Sequence, residues 1–185
     1  VLEYITIASV GNSTDFGDMT SASFSMYSCS SPTRGLFCST GPGPQNRIDY
    51  ITIASTGNGI NFGELDIGFA NSRLGAAVSS STRAVLAIGA ISGASRNVLQ
   101  YVTIATTGNS LDFGDLSGVV NALAGMSSSV KGFFAGGDTD GSSANAKNVI
   151  DVITIATTGN STDFGDLLAA YTNVNGCSNA NGGVQ

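Results

Sequence analysis

Residues 47–65 read RIDYITIASTGNGINFGEL, and this stretch decides the fold because close copies of it recur along the chain. Within RIDYITIAS, Tyr50, Thr52 and Ala54 face one side of an extended chain and Ile51 and Ile53 the other, the period of a β-strand. Thr56-Gly57-Asn58-Gly59 is expected to reverse the chain into INFGEL. Matching runs are YITIASVGNST (4–14), YITIASTGNGI (50–60), YVTIATTGNSL (101–111) and VITIATTGNST (152–162). Each precedes a four-residue motif: Asp15-Phe16-Gly17-Asp18, Asn61-Phe62-Gly63-Glu64, Asp112-Phe113-Gly114-Asp115 and Asp163-Phe164-Gly165-Asp166. The motifs are spaced by 46, 51 and 51 residues. The chain is therefore one supersecondary unit used about four times.

A full unit runs from Phe24 to Leu65. FSMYSCS (24–30) is expected as a first strand, Ser31-Pro32-Thr33-Arg34 as a turn, GLFCST (35–40) as a second strand, RIDYITIAS as the third and INFGEL as the outermost fourth. The phrase returns as LGAAVSS, AVLAIGA, NVLQYVTIAT and LDFGDL, and again as ALAGMSS, GFFAGG, NVIDVITIAT and TDFGDL. Four short antiparallel strands per roughly 50 residues, joined by Gly-rich turns, is the spacing of a β-propeller blade. The expected organisation is one all-β domain over 1–185: a half-blade 1–19, blades 20–67, 68–118 and 119–169, and a closing half-blade 170–185. Either four blades close with one split between the termini, hiding sheet edges, or the chain is an open segment of a larger ring. Val1 already lies in strand pattern, which points to a processed product or an excerpt of a longer polypeptide.

Charge is sparse: 11% of the 185 residues are charged, against roughly 25% in an average globular domain. The net charge of -6, with only seven Lys and Arg, argues against nucleic-acid binding. Ten acids (Glu3, Asp15, Asp18, Asp49, Glu64, Asp112, Asp115, Asp151, Asp163 and Asp166) sit at repeating positions, so the charge follows from the repeat. No apolar run is long enough for a membrane helix, and none has the form of a signal peptide.

The absence of His removes the usual general base and the preferred transition-metal ligand. No phosphate-binding GxxxxGK or dinucleotide GxGxxG motif occurs. Neither a cofactor nor a metal is expected. The repeated acids read first as side chains capping their own turn's amides, with a calcium site or a catalytic pair as alternatives. Phe16, Phe62, Phe113 and Phe164 read as rings inserted between neighbouring blades, with sugar stacking as the alternative. Arg34 and Arg83 share a turn with Lys131 and read as solvated; with Arg73 they are also candidates for an anionic sugar. Cys29 and Cys177 occupy equivalent positions and read as small core side chains, a Cys29–Cys38 bridge being the alternative. The loops after the second strand, TGPGPQN, GAISGASR and GGDTDGSSANAK, vary most. Variable loops on a constant scaffold are where binding specificity is placed, and Asp138, Asp140, Ser142, Ser143 and Asn145 form the candidate binding loop.

GFFAGG, a variable loop, NVIDVITIATTGN and DFGDL together resemble the kelch repeat. Gly136-Gly137 match its double glycine, and Thr40-Gly41 and Gly89-Ala90 match partly; the four phenylalanines stand near the place of its tryptophan, which this chain lacks. TIATTGNSTDFGDL and SSSTRAVLAIG are similar to repeat regions of structural, tail-fibre-like proteins of marine and cyanobacterial tailed phages. That resemblance implies a noncatalytic virion structural or attachment protein at the virion surface or tail, in an extracellular setting. Its implied partners are other virion proteins and a host surface glycan, in a homo-oligomeric assembly. A non-viral kelch-like interaction module is the alternative, and a glycan hydrolase a more distant one.

Overall fold

The computed structural model describes residues 1–23, 25–40, 46–66, 72–73, 75–91 and 93–178, with the backbone alone at 25, 40, 72 and 73. The chain is all-β, built from antiparallel sheets with a single described 3-10 turn at Ser143–Asn145. An N-terminal hairpin pairs β1 (Leu2–Tyr4) with β2 (Thr14–Gly17). The first unit is an up-and-down sheet of β3 (Ser25–Ser30), β4 (Arg34–Thr40), β5 (Arg47–Thr52) and β6 (Ile60–Glu64). In the second unit two short strands, β7 (Ser72–Arg73) and β10 (Ala90–Ile91), extend the same plan. Its four main strands are β8 (Ala76–Ser79), β9 (Arg83–Ala87), β11 (Ala94–Thr103) and β12 (Leu111–Val120). The third unit is β13 (Ala124–Ser127), β14 (Lys131–Ala135), β15 (Lys147–Thr154) and β16 (Thr162–Tyr171).

The reversal between third and fourth strands comes earlier than the glycines suggest. In the first unit the Ser55 N–H donates to the Thr52 carbonyl at 3.3 Å, closing the bend on Ile53-Ala54. Thr56-Gly57-Asn58 then runs on as a projecting arm rather than serving as the turn.

The first strands of successive units lie against one another, β3 beside β8 and β8 beside β13. A serine ladder ties them. Ser79 Oγ donates to the Ser30 carbonyl at 2.8 Å, Ser127 Oγ to the Ser79 carbonyl at 3.0 Å, and the Ser127 N–H to Ser178 Oγ at 3.2 Å. Segment 175–178 thus sits where a further first strand would begin.

The core lies in the seams between sheets rather than within any one sheet. One cluster joins Leu36, Ile48, Phe62 and Leu65 of the first unit to Leu86, Val102 and Ile104 of the second. The other joins Val78, Leu99, Phe113 and Leu116 of the second unit to Phe134, Ile153 and Ile155 of the third. A four-stranded sheet has two faces to cover, and stacking units covers them in turn.

Candidate functional site

The recurring motif is a β-bulge rather than a turn. In the first unit Ile48 faces Gly63 and Asp49 faces Asn61, so Phe62 has no partner across the ladder. Phe16, Phe113 and Phe164 are left over in the same way. The glycine that follows supplies a backbone closed to other residues, with φ of 146°, 157°, 140° and 145° at Gly17, Gly63, Gly114 and Gly165. At two copies the leading acid ties the bulge: Asp15 Oδ1 accepts from the Gly17 N–H at 3.2 Å, and Asp163 Oδ1 from the Gly165 N–H at 2.9 Å.

The bulge turns its backbone toward the next unit, whose glycine arm docks on it. The Gly57 N–H donates to the Phe16 carbonyl at 2.7 Å, Gly108 to Phe62 at 2.8 Å and Gly159 to Phe113 at 2.7 Å. Two residues on, Gly59, Ser110 and Ser161 donate to the carbonyls of Asp18, Glu64 and Asp115 at 2.7, 2.9 and 2.8 Å. Between them Asn58, Asn109 and Asn160 accept through Oδ1 from the N–H of Asp18, Glu64 and Asp115 at 2.9, 3.1 and 3.0 Å. The approach is so close that a Cβ at Gly17, Gly63 or Gly114 would lie 2.5, 2.1 or 2.5 Å from the docked glycine's carbonyl.

A second polar contact crosses each seam from the middle of the third strand. Asp49, wholly buried, accepts from Thr20 Oγ1 at 2.7 and 2.9 Å and is paired with Arg47 at 3.1 Å. Gln100 accepts from the Asp66 N–H at 3.1 Å and donates to its carbonyl at 2.8 Å, while Asp151 accepts from the Ser117 N–H and hydroxyl at 3.2 and 3.0 Å. Asp49 and Asp151 stand among the acids at repeating positions in the sequence; Gln100, which takes their place in the second unit, and the seam contact that all three make are visible only in the structure.

Arg34 and Arg83 are half-buried and bonded across the seam rather than simply solvated. Arg34 lies over the Tyr50 ring at 4.5 Å and donates to the Ile104 carbonyl of the next unit at 2.8 Å. Arg83 lies over Tyr101 at 4.4 Å and donates to the carbonyls of Ile155 and Ala156 at 3.2 and 2.8 Å. A planar guanidinium can stack and bridge two carbonyls at once, which is why a turn arginine is drawn into the seam. Lys131, on the last unit, stays exposed and donates to Thr154 Oγ1 within its own sheet. The side chain of Arg73 lies outside the described residues.

The four phenylalanines do not share one environment. Phe62 and Phe113 are 2% exposed, Phe16 is half-buried and Phe164 is 63% exposed. Phe16, Phe62 and Phe113 stand edge-on to Tyr4, Tyr50 and Tyr101 at about 6 Å, and Phe164 to Phe133 at 5.0 Å. Phe164 departs from the expected insertion: among the described residues no glycine arm docks on its bulge. The acidic positions Asp15, Asp18, Asn61, Glu64, Asp112, Asp163 and Asp166 are exposed, and Asp115 is half-buried. They are spread one set per unit rather than gathered. No group of three or more potential metal ligands occurs among the described residues.

Loop 137–147 is held in shape by its own acids. Asp138 is 1% exposed and therefore is not a contact residue. Its carboxylate accepts from the Asp140 N–H at 3.1 Å, the Gly141 N–H and the Thr172 hydroxyl, and its backbone bridges Asn121. Asp140 Oδ1 accepts from the Ser142 N–H at 3.0 Å and Oδ2 from Asn145 Nδ2 at 2.8 Å. Asp140, Ser143 and Asn145 are exposed and Ser142 half-buried. No protein-family model matches this chain, and no curated protein matches it. In the counterpart loops, 41–45 and 92 lie outside the described residues.

The described cysteines are free. A Cys29–Cys38 bridge is excluded by register, since Cys29 faces Leu36 and Cys38 faces Tyr27. Burial pushes the Cys29 thiol up to about 12, and raises Cys38, whose position near Cys29 adds to the effect. Cys29 and Cys177 line a cavity of about 380 Å³ at the ends of the first strands, with Ser30, Ser79, Ser127 and Ser178 around it.

Proposed function

We propose that this chain is a noncatalytic structural or attachment module of a phage virion, a tail-fibre-like repeat scaffold that presents its inter-strand loops to a virion partner or a host surface glycan. The supporting observation is how the repeated residues are used. Bulge, glycine arm, third-strand amide or acid and turn arginine are all spent on joining one unit to the next. Among the described residues, what remains for recognition is the non-repeating loop 137–147, braced from within and offering hydroxyl, amide and carboxylate groups at Asp140, Ser143 and Asn145. Such groups suit weak contacts that gain strength from many copies on one particle.

The units are further read as kelch-like propeller blades. The abutting first strands and the cavity at their ends support a common axis. The ring is either four blades, one split between the termini, or an arc of a larger circle. A glycan array probed with the chain displayed multivalently tests the recognition role. Binding that is lost in an Asp140→Ala, Asn145→Ala double variant with an unchanged melting temperature supports it. The absence of both glycan binding and capture of virion proteins refutes it.

A further inference from the structure

The acid or amide that crosses each seam from the third strand is completed in three different ways. Asp49 is met twice: Thr20 Oγ1 reaches both of its oxygens, and Arg47, two residues earlier on the same strand, pairs with it at 3.1 Å. The same guanidinium runs on to Ser21 Oγ across the seam. Gln100 spends its oxygen on the Asp66 N–H and the Ser110 hydroxyl, and its nitrogen on the Asp66 carbonyl. Asp151 is completed on one side only. Both donors of Ser117 go to Oδ2, and Oδ1 has no partner although the residue is 5% exposed. A buried carboxylate oxygen ordinarily has a donor. The other unpartnered buried side-chain atoms among the described residues are hydroxyl or amide oxygens.

The sequence supplies the reason. Matching RID (47–49) to VID (149–151) puts Val149 where Arg47 stands, and matching Thr20-Ser21 to Ser117-Gly118 puts Gly118 where Ser21 stands. Both ends of the guanidinium bridge are thereby cut back. A cavity of about 230 Å³ lies at this place, with Asp151, Ser117, Val149 and Gly118 in its wall, and a Cβ on Gly118 would meet nothing within 4 Å. Leu116, Val120, Leu123 and Phe134, all buried, make an apolar side. Exposed Lys147 and Val119 mark the way out to solvent. Among the described residues neither Asp151 nor Lys147 enters an ion pair.

We propose that this cavity binds a small organic cation, an alkylguanidinium or alkylammonium with a short apolar tail, whose N–H groups complete Asp151. Arg47 on Asp49 is the same contact made from within the chain. A charged donor is favoured over a neutral one because its bond to a carboxylate is stronger, the more so where water is excluded. The apolar side takes the tail. A cavity of this size suits a group of a few heavy atoms and is too small for a sugar chain. The cation can arrive free in solution or as the tip of an Arg or Lys side chain of another protein. This site goes beyond the scaffold reading and stands without it.

The test is calorimetric titration of the full chain with n-butylguanidinium, n-butylammonium and uncharged n-butylurea, with capped arginine (N-acetyl, N-methylamide) standing for a partner's side chain. The cations should bind at least about tenfold more tightly than the urea, and Asp151→Asn should weaken them by at least about tenfold. Val149→Arg, which rebuilds the Arg47–Asp49 pair in place, should abolish binding and raise the melting temperature; it serves also if Asp151→Asn does not fold. Amide shifts of Ser117 and Gly118 on titration should place the ligand. Tighter binding of the free cations than of capped arginine assigns a free amine, and the reverse a partner's side chain; either supports the site. Absence of cation binding, as when a water completes Asp151, overturns the proposal. So do equal affinities for cation and urea, binding that survives both substitutions, or shifts confined to other amides. Lys147→Ala should keep or strengthen binding by removing a like charge; binding seen only in that variant would mean that Lys147 itself fills the place, and also overturns it.

Discussion

Truncating the same ring at two places in the repeat gives the sharpest test of seam packing. Phe113→Ala removes a ring that is 2% exposed, stands against Tyr101 and lies in the cluster shared with Phe134, Ile153 and Ile155. Burying such a ring contributes about 1.5–3 kcal/mol by area. The cavity left by its loss raises the cost to about 3–5 kcal/mol. Phe164→Ala removes a ring that keeps 63% of its surface in water, and should cost under about 1 kcal/mol at concentrations where the chain is a single copy. Urea unfolding followed by circular dichroism measures both, with chain concentration held low and constant. Because stacked units unfold by nearest-neighbour coupling, Phe113→Ala should also broaden the transition, uncoupling the third unit from the second. Equal costs for the two substitutions would refute the placement of stability in the seams.

Three further outcomes follow from the same geometry. Gly114→Ala sets a Cβ 2.5 Å from Gly159 and should destabilise the chain by at least about 2 kcal/mol more than Gly165→Ala, which shares the positive φ but meets open space; matched unfolding midpoints would contradict the close approach. Arg83→Lys loses the stacked, two-carbonyl contact with Ile155 and Ala156 and should cost about 1–2 kcal/mol, whereas Lys131→Ala, on an exposed lysine, should cost under about 0.5 kcal/mol in the same assay. In the native chain iodoacetamide near pH 8 should label exposed Cys177 and leave Cys29 and Cys38 until denaturant is added. The unfolded chain loses these two thiol protons near pH 9, while Cys29 keeps its proton in the fold to about pH 12. Stability should therefore fall as pH rises through that window, and a flat profile between pH 9 and 12 would count against the buried neutral thiols.

The repeat itself was open to reading, and with it the four-strand order of each unit. Alternation in RIDYITIAS places the third strand, and small residues mark the turns. The bulge was less visible, although a glycine inside a strand pattern signals one. Asp-Phe-Gly-Asp reads as a turn until the register shows Phe62, Phe113 and Phe164 without partners. Arg34 and Arg83 looked like surface charges because their partners, the Ile104 and Ile155 carbonyls, are about 70 residues away in sequence. Asp138 looked like a contact residue, yet loop closure turns its carboxylate inward onto the N–H groups of Asp140 and Gly141.

Local chemistry fixes the strands, because side-chain alternation and glycine freedom act over a few residues and need no partner. Which copy of a motif is buried is another matter. The phenylalanine of Asp112–Asp115 and that of Asp163–Asp166 lie in nearly identical sequence, yet the third unit packed against Phe113 makes it a core residue, while among the described residues nothing equivalent docks on Phe164. Burial is a property of the pair of surfaces that meet, so it belongs to the tertiary structure and not to the repeated word.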